Sequence, residues 1–477
     1  VPEHVPVVIA VGYKSEQVKA CLSYIFPNRE IEFVDIENFA GTASGPGLSL
    51  LGCKEYLQCP FILLGADTLV SPTEHVLIPN KDWIGVGSCS RWCDNTGTYC
   101  LYDEEKGFYY GEQKGGWEEW DNCFIGLAGI NDYEKFWQSL EDTTLIEGEH
   151  QILNGFTNLQ STKIKFESWR DTGNNMSYSY ARKEYEEVVE PKSDEAIYID
   201  GSKVMKYFDD AKKAADRILR SDILQPYVPP VIKLDSHIYG YEYIPGTRFS
   251  DLCNVRLLAS FFDFVRKMYL DTSCSYNEKD FRNNCTKMYQ EKTYDRVRTH
   301  DELDRLDSVE TINGKLVRPI HDMLDEVDWD NIVESAIPVV LHGDMSPENI
   351  IYDSRNGEFI LIDWRDRFGG DLHTGDVYYD LCKLDHALLV NGEVVRKKRF
   401  KVSVHGVSSS IEIDIRSNLV DARRLLESFC NNNGLDFEHV KLLTALTLLN
   451  ISSVHSDKSF NRFLFLYGKL LLSEALN

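Results

Sequence analysis

The chain has 477 residues, enough for two to four domains at ~100–200 residues each. Its 43% hydrophobic, 12% aromatic and 27% charged residues are those of a globular protein, which excludes a disordered or collagen-like chain. Fifty-one Lys and Arg against 76 Asp and Glu give a formal charge of −25, which opposes a broad surface for nucleic-acid phosphates or anionic lipid and leaves room only for a local basic pocket.

No apolar run nears the ~20 residues that span a bilayer, and no charged stretch followed by an apolar one opens the chain. A cytoplasmic protein with no membrane insertion and no nucleic-acid partner is expected. In chain order, VPVVIAVG (5–12) reads as a buried strand, SEQVKACLSYIF as a helix with Ser15 at its N-cap, and IEFVDI as a second strand. SLLGCKEYL follows as a helix and FILLGADTLV as a third strand. This β-α-β-α-β order predicts a parallel sheet with a ligand site at the carboxyl ends of its strands. Asp67 lies at that end, as a ligand to something bound there or as a cap on the next turn. The stretch Gly41–Gly47 either brings backbone close to a nucleobase or is an ordinary Gly-Pro loop. Cys89, Cys93 and Cys100, with Cys123, form the one local cysteine cluster, but C-x3-C-x6-C lacks the paired C-x2-C knuckles of structural zinc. Reduced thiols are the default.

Charge density rises over ARKEYEEVVEPKSDE, which fits a domain boundary or an opening edge strand. EAIYID, a Gly201-Ser202 turn and KVMKYF then predict an antiparallel hairpin, followed by a helix from Asp209 to about Leu224 that Pro226 ends. A small sheet followed by a helix is the outline of a lobe that covers a nucleotide. From Ser250 onward amphipathic helix predominates, interrupted between about 338 and 364 by short strands. The Leu-rich end FLFLYGKLLLSEAL reads as core.

Those short strands, in PVVLHGDMSPENIIYDSRNGEFILIDW, carry the strongest chemical signal. Asp344 and Asn349 stand in D-x-x-x-x-N spacing, the separation that kinase catalytic loops use between the base and a metal-binding Asn. Asn356-Gly357 is a turn dipeptide, and Asn349 and Asp363, each seven positions from Asn356, are predicted side by side at the open end of the hairpin. Phosphoryl transfer needs such a set: Mg²⁺ prefers hard oxygen ligands, while a separate carboxylate, Asp344, accepts the proton of the attacking hydroxyl.

His342-Gly343-Asp344 with Asn349, Ile362-Asp363-Trp364 and Gly375-Asp376-Val-Tyr-Tyr-Asp380-Leu381 together resemble the aminoglycoside phosphotransferase and choline kinase family, whose fold is similar to protein kinases. The likeness covers about 185–477. It implies Asp344 as catalytic base, Asn349 and Asp363 as Mg²⁺ ligands, and ATP as donor. It also implies Lys206 as the strand lysine that grips nucleotide phosphates, with Asp216 as its acidic partner. Glu242, Tyr243 and Ile244, in YGYEYIPG, become the hinge that meets the adenine. His342, Asp376 and Asp380 then support the loop by hydrogen bonds. Taken alone, Lys206 is equally a solvated strand-end charge. Arg365 and Arg367, just beyond Asp363, either face solvent or receive carboxylate or phosphate, and a guanidinium there repels a quaternary amine. The pull is toward a neutral polyol, a sugar or an acidic alcohol.

In the first third, VVIAVGYKSEQVKACL, GTASGPGLSLLGCKEYL and PFILLGADTLV, with the later Trp169-Arg-Asp171-Thr-Gly173, resemble the sugar-nucleotide and phosphocholine nucleotidyltransferases and their Rossmann-like sheet. That resemblance implies Asp67 and Asp171 as two metal carboxylates. Nucleotidyl transfer uses a divalent ion to neutralise the α-phosphate during attack, so such a pair is the minimum equipment. Lys114, in YGEQKGG, binds substrate phosphate or is an inert exposed lysine. The family opens with a strand and a Gly-rich loop ending in a basic residue, and nothing before Val5 supplies one. Residue 1 is Val, so a missing upstream segment is expected.

The expected fold is α/β, a Rossmann-like nucleotidyltransferase domain (1–183) followed by a two-lobed α+β phosphotransferase domain (184–477, lobes about 184–248 and 249–477). The expected function is a bifunctional kinase and nucleotidyltransferase using Mg²⁺, ATP and a second nucleoside triphosphate such as CTP. It would act on a small alcohol and its phosphate to make an activated precursor for surface glycans. One rival keeps only the kinase, with the first domain a scaffold. Another is a metabolite-binding pseudokinase, whose mark would be loss of Asp344, Asn349 or Asp363, and all three are present.

Overall fold

The computed structural model describes residues 4–41, 43–70, 80–89, 100–110, 120–141, 145, 148–174, 176–178, 180–181, 194–455 and 457–477. The chain divides into two compact units, Val1–Val188 and Val189–Asn477.

In the first unit, strand Val7–Val11 runs parallel to Ile31–Asp35, Val7 opposite Ile31, with helix Ser15–Ile25 between them in sequence. Ser15 is not the cap. Lys14, left-handed at φ 57°, precedes the helix, and the Ser15 hydroxyl donates to Asp35 Oδ1 at 2.5 Å instead. The third predicted strand departs further: Phe61–Leu64 pairs antiparallel with the long strand Trp120–Ile130 in a six-stranded mixed sheet. The all-parallel sheet expected from β-α-β-α-β is therefore not formed, because the partner of Phe61–Leu64 lies far downstream. Trp83–Cys89 also pairs antiparallel with Trp120–Ile130 and parallel with Thr162–Lys165. Helix Tyr133–Glu141 contributes Phe136, Trp137 and Leu140 to a core with Phe61, Ile84 and Phe156, where Phe61 stacks on Trp137 at 5.4 Å. Each such large side chain stabilises by about 1.5–3 kcal/mol when buried. Gly45 and Gly47 pack on the backbone of His150: Gly47 N donates to His150 O at 2.8 Å, and a Cβ on either glycine would stand 2.6 or 2.7 Å from that oxygen. The close approach these glycines permit is to His150.

The second unit opens with an antiparallel sheet ordered Glu195–Asp200, Lys203–Phe208, Ile238–Glu242, Ile232–Lys233. Gly201-Ser202 forms the expected two-residue turn, with Gly201 at φ 52°. Period-two alternation buries Val204, Lys206 and Phe208 on one face. Helix Ala211–Ile223 follows, its start capped by Asp210, whose carboxylate accepts from Lys212 N at 2.8 Å. Residues 243–246 lead out of this sheet to Thr247–Arg248, which pairs with Ile350–Asp353. The rest is mainly helical, with helices Val255–Tyr269, Val377–Leu389, Ser417–Asn432, Phe437–Ile451 and Lys458–Ala475 contributing to one core. The last of these carries the Leu-rich end inward, together with Lys469, which donates to Asp307 O at 2.7 Å and Val309 O at 2.9 Å. A hairpin that the sequence pattern did not announce, Phe400–His405 with Ser408–Ile413, pairs in parallel with Thr311–Ile312. Among the described residues no helix is long and apolar enough to cross a membrane.

Candidate active site

The hairpin of Ile350–Asp353 and Glu358–Leu361 sets Ile350 opposite Leu361, and Ile362 N donates to Asn349 O at 2.9 Å. Asn349 thus faces Ile362, one position short of the Asp363 expected from symmetry about Asn356. The loop has four residues, 354–357, with Gly357 left-handed at φ 75°, so its midpoint falls between Arg355 and Asn356. Asp363 is itself left-handed at φ 60°, a conformation Asp tolerates better than most residues. Its Oδ1 accepts from Lys206 Nζ and from Arg217 Nη1, each at 2.7 Å.

The loop bearing Asp344 is built around Asp380, a fully buried carboxylate in the first turn of helix Val377–Leu389. It accepts from the backbone N–H of His342 at 2.9 Å, Gly343 at 2.9 Å and Met345 at 3.3 Å, and from the Tyr269 hydroxyl. Arg220 closes the same region from helix Ala211–Ile223, donating to Leu341 O, to Arg365 O at 3.1 Å and to Leu372 O at 2.6 Å. Gly343 has φ 89°, and a Cβ there would lie 2.5 Å from Arg365 Cβ, so the turn requires glycine. His342, wholly buried, donates from Nε2 to Ile362 O at 3.1 Å and accepts at Nδ1 from Asp344 N at 3.3 Å. Burial lowers its pKa and keeps the ring neutral, as that pattern requires. His342 therefore ties the Asp344 loop to the residue before Asp363.

Asn349 Nδ2 donates to Asp344 O at 2.9 Å and to Asp344 Oδ2 at 3.3 Å, and Lys383 Nζ stands 2.9 Å from Asp344 Oδ1. Burial pushes the Asp344 pKa up, but the attraction and hydrogen bond of Lys383 outweigh it and the net direction is down. Asp344 rests as a carboxylate able to accept a proton. Asn349 turns its amide nitrogen to Asp344, and with Asp363 it supplies hard oxygen donors of the kind Mg²⁺ takes, so this set fits the ion.

Three expectations need correction. Asp216 does not meet Lys206. It accepts from Arg367 Nε at 2.6 Å, Arg367 Nη2 at 2.8 Å and Lys212 Nζ at 2.9 Å, and the Arg367 hydrogen bonds hold its pKa at about 2. The helix instead offers Arg217, the next residue, to Asp363. By the same pairing Arg367 is engaged internally rather than presented to substrate. Asp376 supports the fold beside the loop rather than the loop itself, accepting from Tyr289 Oη at 2.6 Å, Ile337 N at 2.9 Å and Tyr378 N at 3.2 Å. Burial raises its pKa to about 6.

Arg365 donates to Arg367 O at 2.8 Å and to Tyr379 Oη at 3.1 Å. On the expected hinge, Glu242 and Tyr243 are exposed and Ile244 half-buried; Glu242 pairs with Lys203, and Tyr243 N donates to Ser202 O at 2.8 Å. Sequence reasoning missed Arg217, Arg220, Tyr379 and Lys383. The one available signal was for Lys383, three residues after Asp380 and so on the same helix face.

In the first unit, Asp67 and Asp171 come together around Gly173. A Cβ on Gly173 would stand 2.9 Å from Asp67 Oδ2 and 3.2 Å from Asp171 Oδ1. Antiparallel pairing of Thr68–Val70 with Trp169–Asp171 brings them there, and Thr172 N and Oγ1 both donate to Asp67 O, at 2.8 and 2.9 Å. Two carboxylates beside a missing side chain fit a divalent ion whose other ligands are water or phosphate. Among the described residues no group of three or more His, Cys, Asp or Glu forms a metal site. Lys114, Cys93 and the Cys89 side chain lie outside the described residues, and Cys100 is a free thiol.

Residues 217–390 match the model of the phosphotransferase enzyme family, a stretch holding Asp344, Asn349, Asp363 and Asp380. The second unit thus contains a phosphotransferase-like region. Among solved structures, the chain is similar to a choline/ethanolamine kinase family protein from Mesorhizobium loti at 14% identity and TM-score 0.35, covering 63% of this chain and 97% of that one. HddC from Yersinia pseudotuberculosis, complexed with GMP-PN, is similar at 14% identity and TM-score 0.29, covering 38% and 78%. The inositol-1-phosphate CTP transferase from T. maritima is similar at 16% identity and TM-score 0.28, covering 39% and 78%. No curated protein matches the chain.

Proposed function

We propose that the second unit transfers the γ-phosphoryl group of ATP to the hydroxyl of a small alcohol. The observation that carries this reading is the joining of Asp344, Asn349 and Asp363 by hydrogen bonds through His342 and Ile362, with Lys206 on Asp363. Asp344, held as a carboxylate by Lys383, orients the acceptor hydroxyl and takes its proton at Oδ. Asn349 and Asp363 would hold Mg²⁺, which when bound would supply positive charge to offset that of the transferred group. Lys206 and Arg217 supply positive charge for the phosphates, and Glu242, Tyr243 and Ile244 border the adenine. Turnover of ATP with a panel of polyols, sugars, choline and ethanolamine tests it: activity that survives Asp344→Asn removes the base.

The carboxylate pair around Gly173 supports a second reading for the first unit, transfer of a nucleotidyl group from a nucleoside triphosphate, CTP among the candidates, to the phosphate the kinase has made. Asp67 and Asp171 would hold the divalent ion, and the joint product is a nucleotide-activated alcohol of the kind used to decorate surface glycans. Titration with CTP, UTP, GTP and dTTP in the presence of Mg²⁺ tests this, since heat from none of the four reduces the first unit to a scaffold.

A further inference from the structure

In a chain with 25 more acidic than basic charges, cations gather beside Asp344. Lys383 pairs with it. Arg365 lies with Cζ 5.8 Å from the Tyr379 ring centroid while its Nη1 donates to the Tyr379 hydroxyl at 3.1 Å. Lys292 Nζ stands 5.9 Å from the same centroid and makes neither an ion pair nor a hydrogen bond with any described residue. The carboxylates near this group are Asp344, already held by Lys383, and Asp366, whose field reaches Arg365; Arg296 adds further positive charge near Lys292.

Lys292 is also the first residue after a π-helical turn, Lys287–Glu291. Such turns are rare, are frequently found at functional sites and shift the residues that follow off the regular helical register. Holding a half-buried ammonium near a guanidinium costs desolvation and repulsion; among the described residues the Tyr379 oxygen attracts Lys292, and no carboxylate does. An anion from outside offsets both.

Resting on the phosphotransfer reading above, we propose that the acceptor alcohol carries a carboxylate or phosphate group, received by Lys292 and Arg365 beside Tyr379 while its hydroxyl meets Asp344. The charge balance agrees. Mg-ATP and Asp344 are both negative, so an anionic acceptor enters only where extra cations compensate, and those same cations repel choline or an aminoglycoside.

Isothermal titration of the full chain, with Mg²⁺ and AMP-PNP present, tests this with glycerol, glycerate, glycerol 3-phosphate and choline. One of the two acids should bind at least 100-fold tighter than glycerol, the better acid distinguishing carboxylate from phosphate, and choline should give no heat. Lys292→Gln should cut the preference for acid over glycerol about tenfold. Lys292→Arg should keep it within threefold, separating loss of charge from loss of fold. No heat from either acid, glycerol or choline binding as well as the acids, or a preference unmoved in Lys292→Gln each overturns the proposal. Parallel turnover assays with Asp344→Asn keep the two readings apart. Glycerol or choline turned over and lost in that variant leaves phosphotransfer standing without an anionic acceptor. Acid binding with no turnover of any alcohol removes phosphotransfer and keeps the anion site.

Discussion

The two carboxylate sites are assembled in opposite ways. Asp344 and Asp363 are fixed by buried groups: Asp380 beneath the loop, Arg220 across its start, His342 from the loop to Ile362. Asp67 is exposed and Asp171 half-buried, and what brings them together is backbone, three residues of strand pairing and two donors from Thr172 to one carbonyl. A site buried in a network ties activity to folding. One hung on backbone at the surface leaves the two separable, since exposed groups make small net contributions to stability.

The sharpest break of that comparison is Asp344→Asn, expected to lower kcat for phosphoryl transfer by about 10²–10⁴-fold; a loss below tenfold would show that another group takes the proton. Next is Asp380→Ala. Three backbone N–H groups, the Tyr269 hydroxyl and nearby Arg220 lose their anion, and urea unfolding should register about 3–5 kcal/mol of destabilisation. A change under 1 kcal/mol would mean the loop is held by something else.

Asp376 gives a third test, through pH. Its folded value of about 6 lies above the ordinary 3.8, so between roughly pH 4 and 6 the folded chain keeps a proton that the unfolded chain has released. Stability from this group should therefore fall as pH rises through that window, by roughly 3 kcal/mol in all. Unfolding curves of Asp376→Asn should lack that slope. Asp216, held at about 2, has the reverse sign: its contribution is present above pH 4 and is lost toward pH 2. The smallest effect belongs to the first unit. Gly173→Ala should weaken Mg²⁺-dependent nucleotide binding about tenfold, with Tm almost unchanged. A large drop in Tm would erase the contrast between the two sites.

Much of this was legible in the sequence, for local reasons. The D-x-x-x-x-N spacing, the Gly201-Ser202 turn and the Asp209–Leu224 helix depend on residues close in the chain, where turn chemistry and periodicity act. The hairpin register slipped by one because Gly357 takes the left-handed position of a four-residue loop, and Asn-Gly alone does not report loop length. Asp216 was assigned to the wrong cation because its partner Arg367 is 151 residues away, and a free Asp beside a helix face looks the same whichever cation reaches it. The strand Phe61–Leu64 is apolar enough for either direction of pairing, so only the distant Trp120–Ile130 strand decides. Lys292 gave no signal at all, since its placement depends on a local departure from regular helix.

His342 reaches the carbonyl of Ile362, and the next α-carbon carries the left-handed Asp363. A single peptide plane therefore links the carbonyl that His342 holds to the carboxylate that Lys206 and Arg217 hold. Rotating that plane would break the first contact and turn the Asp363 carboxylate away from its two cations. On the phosphotransfer reading, a substitution that disturbs this one peptide should weaken both contacts together.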